Sequence, residues 1–173
     1  MASDADLAAR IVVRRLGAGD GEPVGRFLIG LSLSSRYHRF FSCIRYLSPA
    51  LLTTLTTVAP GQVVLLALDG ETVVGHLMAT DHEGEGVDIG IVVAEGYRFR
   101  GIGGKLLREM ANALSGGGST RVRCDVLGAN YFVLDWLRRR LPDIRFVRHG
   151  ETITVHGTLS APEIGDFRGD VHR

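Results

Sequence analysis

The pattern of apolar and polar positions divides the chain into short apolar runs and longer amphipathic stretches. The β-branched run Ile11–Leu16 predicts a first strand, and apolar residues at helical spacing predict a helix over Pro23–Phe41. Ser48-Pro49 supplies the N-cap and the first position of a second helix, which ends before Pro60. The chain is therefore predicted to begin as strand, helix, helix.

In the remaining two thirds of the chain, the predicted strands and helices follow one another at shorter intervals. A turn pair, Asp69-Gly70, lies between two apolar runs and predicts a hairpin. A glycine-rich segment later opens an amphipathic helix. The complete predicted order is β-α-α-β-β-β-α-β-α-β-β, an α/β (α+β) chain. The predicted strands here are Val63–Leu68, Thr72–Thr80, Val87–Val93, Arg121–Leu127, Ile144–Arg148 and Thr152–Leu159, and the predicted helices are Ile102–Leu114 and Tyr131–Leu141.

Composition is typical of one globular domain. The chain has 173 residues, 45% of them hydrophobic and 23% charged, which suffices for a single core without metal or disulfide support. No linker divides it, so we predict a domain over residues 11–160, a flexible segment over 1–10 and a polar tail over 161–173. The formal net charge of +1 argues against nucleic acid as a partner.

Cysteine usage and hydropathy predict a compartment. Cys43 and Cys124 are far apart and form no CxxC pair, so neither a metal site nor a disulfide framework is indicated. The first residues are acidic and lack the basic-then-apolar pattern of a signal peptide. No apolar run approaches the roughly 18 residues that a membrane span needs. We expect a cytoplasmic protein that does not associate with membranes.

The segment from Arg98 to Gly104 has the properties of an anion site, because it joins a strand to a helix start with free backbone N–H groups. It is not a P-loop, since Lys105 is followed by Leu106 and the required first glycine is Phe99. A dinucleotide fingerprint also fails, because Leu106 occupies its third glycine position. A glycine-rich turn with no ligand is the remaining alternative to an anion site.

The pattern that does fit is [Arg/Gln]-x-x-Gly-x-[Gly/Ala], present from Arg98 to Gly103. With the preceding strand Asp88–Val93 and the connection Ala94–Tyr97, it resembles the GNAT superfamily of acyl-CoA-dependent N-acyltransferases. The element order also resembles that family, over about residues 11 to 159. The resemblance implies the GNAT fold, a mostly antiparallel mixed sheet of about seven strands flanked by four helices.

The resemblance also implies acetyl-CoA as cosubstrate. In the family, backbone amides of the segment matching Arg98–Gly104 bind the CoA pyrophosphate, and the strand edge matching Ile91–Val93 pairs with the pantetheine arm. Asn130 is implied to contact that arm, although it is equally typical of a helix N-cap. The implied cofactor-binding residues are Ile91, Val92, Val93, Arg98, Phe99, Arg100, Gly101, Ile102, Gly103, Gly104 and Asn130, and no metal is implied.

Acyl transfer to an amine requires a group that takes a proton from the ammonium. Asp88, the lone acid of its apolar strand, is our candidate base, at a position where related enzymes often have glutamate. A strand-end carboxylate in solvent is the alternative interpretation. Other candidate bases on neighbouring segments are His76, His82, Glu83 and Glu85.

The chain departs from the family pattern at the residue that protonates the leaving thiolate. Many family members have a tyrosine seven residues after the asparagine, where this chain has Leu137, and Tyr131 needs a different approach. Water is then the proton source. The segment Ser34–Phe41 is similar to the acceptor-side helices of the bacterial protein-lysine acetyltransferase branch, although an aromatic core face explains it equally well.

Three functions follow from these observations. The leading hypothesis is an N-acetyltransferase that acts in a ternary complex on a protein lysine or a small amine. The second is an acyl-CoA-binding sensor with weak or no catalysis, and the third is a structural interaction domain. The chain is expected to be a monomer or a homodimer.

Overall fold

A computed structural model of the chain describes residues 9–82, 86–115 and 119–160. The tail predicted over 161–173, most of the segment predicted over 1–10, and the candidate bases Glu83 and Glu85 lie outside the described residues. The described residues contain a sheet of seven strands in the order β1-β2-β3-β4-β5-β7-β6. The strands are β1 Val12–Arg15, β2 Gln62–Asp69, β3 Thr72–His82, β4 Gly86–Val93, β5 Ser119–Leu127, β6 Arg145–His149 and β7 Thr152–Ser160.

Five α-helices of at least eight residues accompany the sheet in this part of the chain, one more than predicted. The helix predicted over Pro23–Phe41 is two helices, because the backbone is extended at Leu31 and Ser32 then caps a new helix by accepting a 3.1 Å hydrogen bond from the Ser35 N–H. The helices are α1 Gly21–Gly30, α2 Leu33–Phe40, α3 Pro49–Thr56, α4 Ile102–Ser115 and α5 Tyr131–Arg138.

The helices pack on both faces of the sheet and form two cores. The larger core holds the buried faces of α4 and α5, including Leu106, Met110 and Leu134. The smaller core holds α1 and α3, with Val24 and Leu28 fully buried against β2 and β3. The sheet is thus the middle of three layers.

Among the described strands, all pairs are antiparallel except the pair of β4 and β5. These two strands are parallel and pair only through Val87 with Val122 and Asp88 with Arg123. Beyond those two rungs they separate. The predicted mostly antiparallel mixed sheet of about seven strands is confirmed, and the parallel pair is where this sheet opens.

No described helix is long and apolar enough to cross a membrane.

Candidate active site

The separation of β4 from β5 leaves a strand edge open in the middle of the sheet. From Ile89 to Val93, β4 pairs with β3 on one side, whereas no strand of the described ranges pairs with its other side. An exposed strand edge offers unpaired N–H and C=O groups to an extended ligand. Ile91 and Val93 pack toward the larger core and Val92 toward the smaller one, so the edge is rigidly held.

The glycine-rich loop follows directly after this edge. A short 3-10 turn over Glu95–Tyr97 leads to Phe99 and Gly101, which both have positive φ, at 63° and 76°. Left-handed backbone at position 101 favours glycine. The helix α4 then begins at Ile102, whose side chain is buried and whose first turn presents N–H groups without helical partners. Helix starts of this kind bind phosphate, and the loop therefore suits a pyrophosphate.

Arg98 turns its side chain toward the protein. Its Nε donates a 3.2 Å hydrogen bond to the Val93 carbonyl, and its Nη2 donates a 2.7 Å hydrogen bond to Ser35 Oγ in α2. The Glu95 carboxylate accepts hydrogen bonds from the Ser35 hydroxyl and, at 3.0 Å, from the Ser32 N–H. This network ties the start of α2 to the segment before the loop.

The two glycines after Ile102 differ in what surrounds them. A Cβ on Gly103 would lie 3.1 Å from Cζ2 of Trp136 in α5, which is tighter than ordinary packing. A Cβ on Gly104 would lie 3.6 Å from Arg140 Nε, an ordinary contact. Gly103 therefore allows α5 to pack closely on α4, a role that the sequence pattern does not reveal.

Two exposed aromatic rings meet beside the loop. Phe99 is 71% exposed and packs edge-on against Phe132 near the start of α5, with ring centroids 4.8 Å apart. Arg100 places its guanidinium 6.0 Å from the Tyr97 ring. The aromatic pair brings the loop and the first turn of α5 together at the mouth of the opening.

Asn130 begins α5 as its N-cap, with its side chain oxygen 3.4 Å from the Val133 N–H that donates to it. The N-cap interpretation is thus confirmed, and contact with the cofactor arm remains a prediction. Leu137 is buried in the larger core, so no acid stands at the usual tyrosine position. Tyr131 is exposed at the opposite end of α5.

Asp88 lies on the last paired rung between β4 and β5, half-buried. It belongs to a polar row that crosses five strands through the directly paired residues Thr80, Asp88, Arg123, His156 and Arg145. Directly paired residues share one face of a sheet. This face is the one that carries Val92 and the smaller core.

A cleft of about 370 Å³ opens at this row. Asp88 therefore contacts a cavity large enough for a side chain or a small amine. His82, one of the other candidate bases, lies in the same cleft. The lining residues are His82, Gly86, Asp88, Arg123, His149, Thr154 and His156.

His76 is placed differently. Its ring is fully buried, and Nε2 donates a hydrogen bond to the Leu55 carbonyl at 3.1 Å, while Nδ1 has no partner among the described residues. Burial and the field of Arg39 lower the pKa of His76 to about 4, so the ring is neutral at physiological pH. On β5, burial and the nearby carboxylates of Asp88 and Asp125 raise the pKa of the Cys124 thiol to about 12.

Four further residues that the fold brings to the face that carries Asp88 were not predicted from the sequence: Arg39, Arg123, His149 and His156. One signal was available, because an isolated glycine inside an apolar strand often marks a close approach by another group. Gly90 is such a glycine, and the Arg39 guanidinium lies directly over it.

Solved structures share this arrangement of sheet and helices. The GNAT domain of S. lividans PAT is 21% identical with a TM-score of 0.75, over 85% of this chain and 89% of that one. An acetyltransferase from Thermus thermophilus is 22% identical with a TM-score of 0.65, over 84% and 94%. Spermidine N-acetyltransferase from Vibrio cholerae, in complex with CoA and spermine, is 10% identical with a TM-score of 0.62, over 90% and 98%. The fold is that of the acetyltransferases.

A family model agrees with the structural comparison. The model described as the acetyltransferase (GNAT) family matches residues 31–141, which is more than half of the chain. The chain belongs to this family. The matched range includes Asp88, the Arg98–Gly104 loop and Asn130. None of the curated protein sequences compared with the chain matches it significantly.

Proposed function

We propose that the protein is an N-acetyltransferase, which moves an acetyl group from acetyl-CoA to a primary amine that attacks directly in a ternary complex. The observation that carries this proposal is the opening between β4 and β5, with the glycine-rich loop at its end. The pairing of the two strands stops after Asp88 and Arg123, and Gly101 turns the chain into α4 a short distance beyond.

Different segments of this opening are suited to different parts of acetyl-CoA. The free edge of Ile91–Val93 is suited to the pantetheine arm, as an added strand would be. The N–H groups from Gly101 to Gly104 are suited to the pyrophosphate. Arg100 lies within the loop. The side chain of Arg98 holds the loop to α2, so only the backbone of Arg98 remains available to the ligand.

Asp88 is the proposed general base. It lies in the cleft and accepts a proton from the substrate ammonium, directly or through water, so that the neutral amine can attack. A β4 N–H near Val93 donates to the thioester oxygen as negative charge develops there. The amine nitrogen bonds to the carbonyl carbon and the C–S bond breaks. The nitrogen releases its second proton to water, and water delivers a proton to the thiolate, so that the products are the amide and the CoA thiol. Cys124 is excluded as the acid, because a thiol with a pKa of about 12 does not protonate a thiolate of ordinary pKa near 8.5.

The acceptor is a primary amine on a protein lysine or a small molecule. The cleft around Asp88 is open on its outer side and lined with histidines, which is compatible with both. The similarity in fold to the spermidine N-acetyltransferase from Vibrio cholerae supports the latter.

An acyl-CoA-binding sensor is the second candidate. Leu137 favours it, because the buried leucine replaces the usual acid and leaves the leaving thiolate to water. Such a protein binds acetyl-CoA without transferring the acetyl group.

Release of the CoA thiol distinguishes the two functions. The purified protein is incubated with acetyl-CoA and a panel of small amines and lysine-containing peptides, and thiol release is followed in initial-rate experiments. An enzyme of the proposed type gives amine-dependent release, with intersecting double-reciprocal lines that indicate a ternary complex. Binding of acetyl-CoA without release for any member of the panel favours the sensor.

A further inference from the structure

Arg39 is a second charged group on the face of β4 that carries Asp88, and the proposed chemistry does not use it. Arg39 is in the last turn of α2, and its guanidinium lies against the strand at Gly90. An ideal Cβ on Gly90 would be 2.5 Å from Cζ, Nη1 and Nη2 of Arg39 alike. Equal distances to these three atoms mean that the guanidinium plane lies flat over this position. Any side chain at position 90 would displace it.

One N–H group of the Arg39 guanidinium lacks a hydrogen-bond acceptor. Its Nε is buried and has no hydrogen-bond partner within the described ranges. A buried donor without a partner costs about 1–3 kcal/mol, and more when it is charged. Burial lowers the pKa of Arg39 to about 10, against the opposing field of Asp88, so the group is still a cation at neutral pH.

The surroundings of Arg39 do not supply that acceptor. The Phe40 ring lies 5.2 Å from its Cζ. His76, whose pKa the guanidinium lowers, makes no hydrogen bond to it, because His76 Nδ1 and Arg39 Nε both lack a partner among the described residues. Asp88 acts on it through space from the same face of the strand, without a hydrogen bond to its Nε. A ligand anion would complete the site.

The position of Arg39 along β4 indicates which anionic group of a ligand can reach its guanidinium. Gly90 precedes Val93 by three residues, about 10 Å of strand, and the pyrophosphate loop begins only at Arg98. The phosphates of CoA are therefore at the far end of the opening. Arg39 is instead beside the reacting end, between the candidate base Asp88 and the edge that is suited to the pantetheine arm.

We propose that Arg39, seated on Gly90 two residues after Asp88, forms a carboxylate-binding subsite on this face of β4. Guanidinium groups bind carboxylates through paired, charge-assisted hydrogen bonds, which fits a planar fork held flat against the strand. The carboxylate belongs either to a dicarboxylic acyl group or to the amine acceptor. The inference rests on the proposed N-acetyltransferase function and names the substrate chemistry of its site.

Calorimetry with two pairs of probes tests the subsite in the full chain. The first pair is acetyl-CoA and succinyl-CoA. The second pair is a panel of amino acids and their decarboxylated amines, titrated into protein saturated with CoA. The test variant is Arg39→Met, and Arg26→Met is the matched control, because Arg26 is exposed on α1 and its loss changes the net charge equally. Gly90→Ala is the second variant, since it keeps the arginine but displaces the guanidinium from the strand.

We expect one pair to show a preference of about 10- to 100-fold for the carboxylate-bearing member, the range that a charge-assisted hydrogen bond supplies. Arg39→Met and Gly90→Ala abolish this preference, and Arg26→Met retains it. Preference within the acyl-CoA pair identifies a dicarboxylic acyl group, and preference within the amine pair identifies an acidic acceptor. If neither pair shows a preference that depends on Arg39, while acetyl-CoA still binds, the subsite is wrong. Failure of acetyl-CoA itself to bind contradicts the proposed function instead.

Discussion

Ser35 Oγ accepts a 2.7 Å hydrogen bond from Nη2 of Arg98 and thereby joins the helix α2 to the start of the glycine-rich loop. The same hydroxyl donates to the Glu95 carboxylate. The loop and α2 are far apart in the chain, yet one buried hydroxyl holds them together. The start of α2 and the start of the glycine-rich loop are thus mechanically connected.

The Ser35→Ala variant tests this connection. The change removes a partner from both the Arg98 guanidinium and the Glu95 carboxylate, and we expect a loss of about 1–3 kcal/mol in the free energy of unfolding. Chemical denaturation measures it. Ser34→Ala is the matched control, since Ser34 is exposed one residue earlier in the same helix. Equal stability of the two variants contradicts the importance of the network.

Glu95 predicts an acid-sensitive contribution to stability. Burial raises its pKa, but hydrogen bonds from Ser35 and Ser32 outweigh burial and hold the pKa at about 2, against 4.5 for an ordinary glutamate. A depressed carboxyl pKa stabilises the fold above the unfolded value, and that stabilisation is lost as the pH falls toward the folded value. The stability difference between wild type and Glu95→Gln is therefore constant above about pH 5 and shrinks as the pH falls from 4.5 to about 2.

Unfolding curves over this pH range provide the measurement. Glu22→Gln is the matched control, because its side chain is 78% exposed. The same pH profile for both variants argues against the role of the serine hydrogen bonds.

Two neighbouring glycines in the first turn of α4 predict opposite responses to alanine. Gly103→Ala places a methyl group 3.1 Å from Trp136 and forces α4 and α5 apart, whereas Gly104→Ala has room. Both changes gain the same helix propensity, so the difference between them isolates packing. We expect Gly103→Ala to be less stable than Gly104→Ala by about 1–3 kcal/mol in urea unfolding. The reverse order contradicts the close helix contact.

The fold was largely predictable from hydrophobic periodicity and turn residues. Each predicted strand exists, because β-branched runs between glycine or proline turns have few alternative structures. The break in the first predicted helix was not predicted, since apolar positions continue at helical spacing through Leu31. Ser32 carries the capping signal, but periodicity outweighed it. A helix cap is a local feature that a long apolar pattern easily masks.

The site was predictable in one half only. The Arg98–Gly104 pattern indicates the loop because the relevant residues are adjacent in sequence. The acceptor side consists of residues from different strands and from α2, which only the sheet register brings together. Nothing in the sequence connects Arg39 with Gly90, which follows it at a long distance along the chain, and their contact depends on how α2 packs on β4.

Asp88 predicts a separation of catalysis from binding. Asp88→Asn removes the proton acceptor but leaves the loop and the free strand edge unchanged, so kcat should fall by about 10²- to 10⁴-fold with little change in the Kd of acetyl-CoA. Asp88→Glu is the matched variant, because it keeps the carboxylate and should retain most of the activity. Unchanged kcat in Asp88→Asn removes this residue as the base and directs attention to His82, in the same cleft.

Calorimetry with acetyl-CoA on two glycine variants tests whether the glycine-rich loop binds the cosubstrate. Gly101 and Gly70 both have positive φ, at 76° and 60°, so a glutamate strains the backbone at either position. Only Gly101→Glu places a carboxylate where the pyrophosphate is expected. We expect wild type and Gly70→Glu to bind acetyl-CoA alike. Gly101→Glu, still folded by circular dichroism, should bind at least about tenfold more weakly, a loss of about 1.4 kcal/mol or more. Equal binding by both variants, or none by the wild type, contradicts binding at this loop.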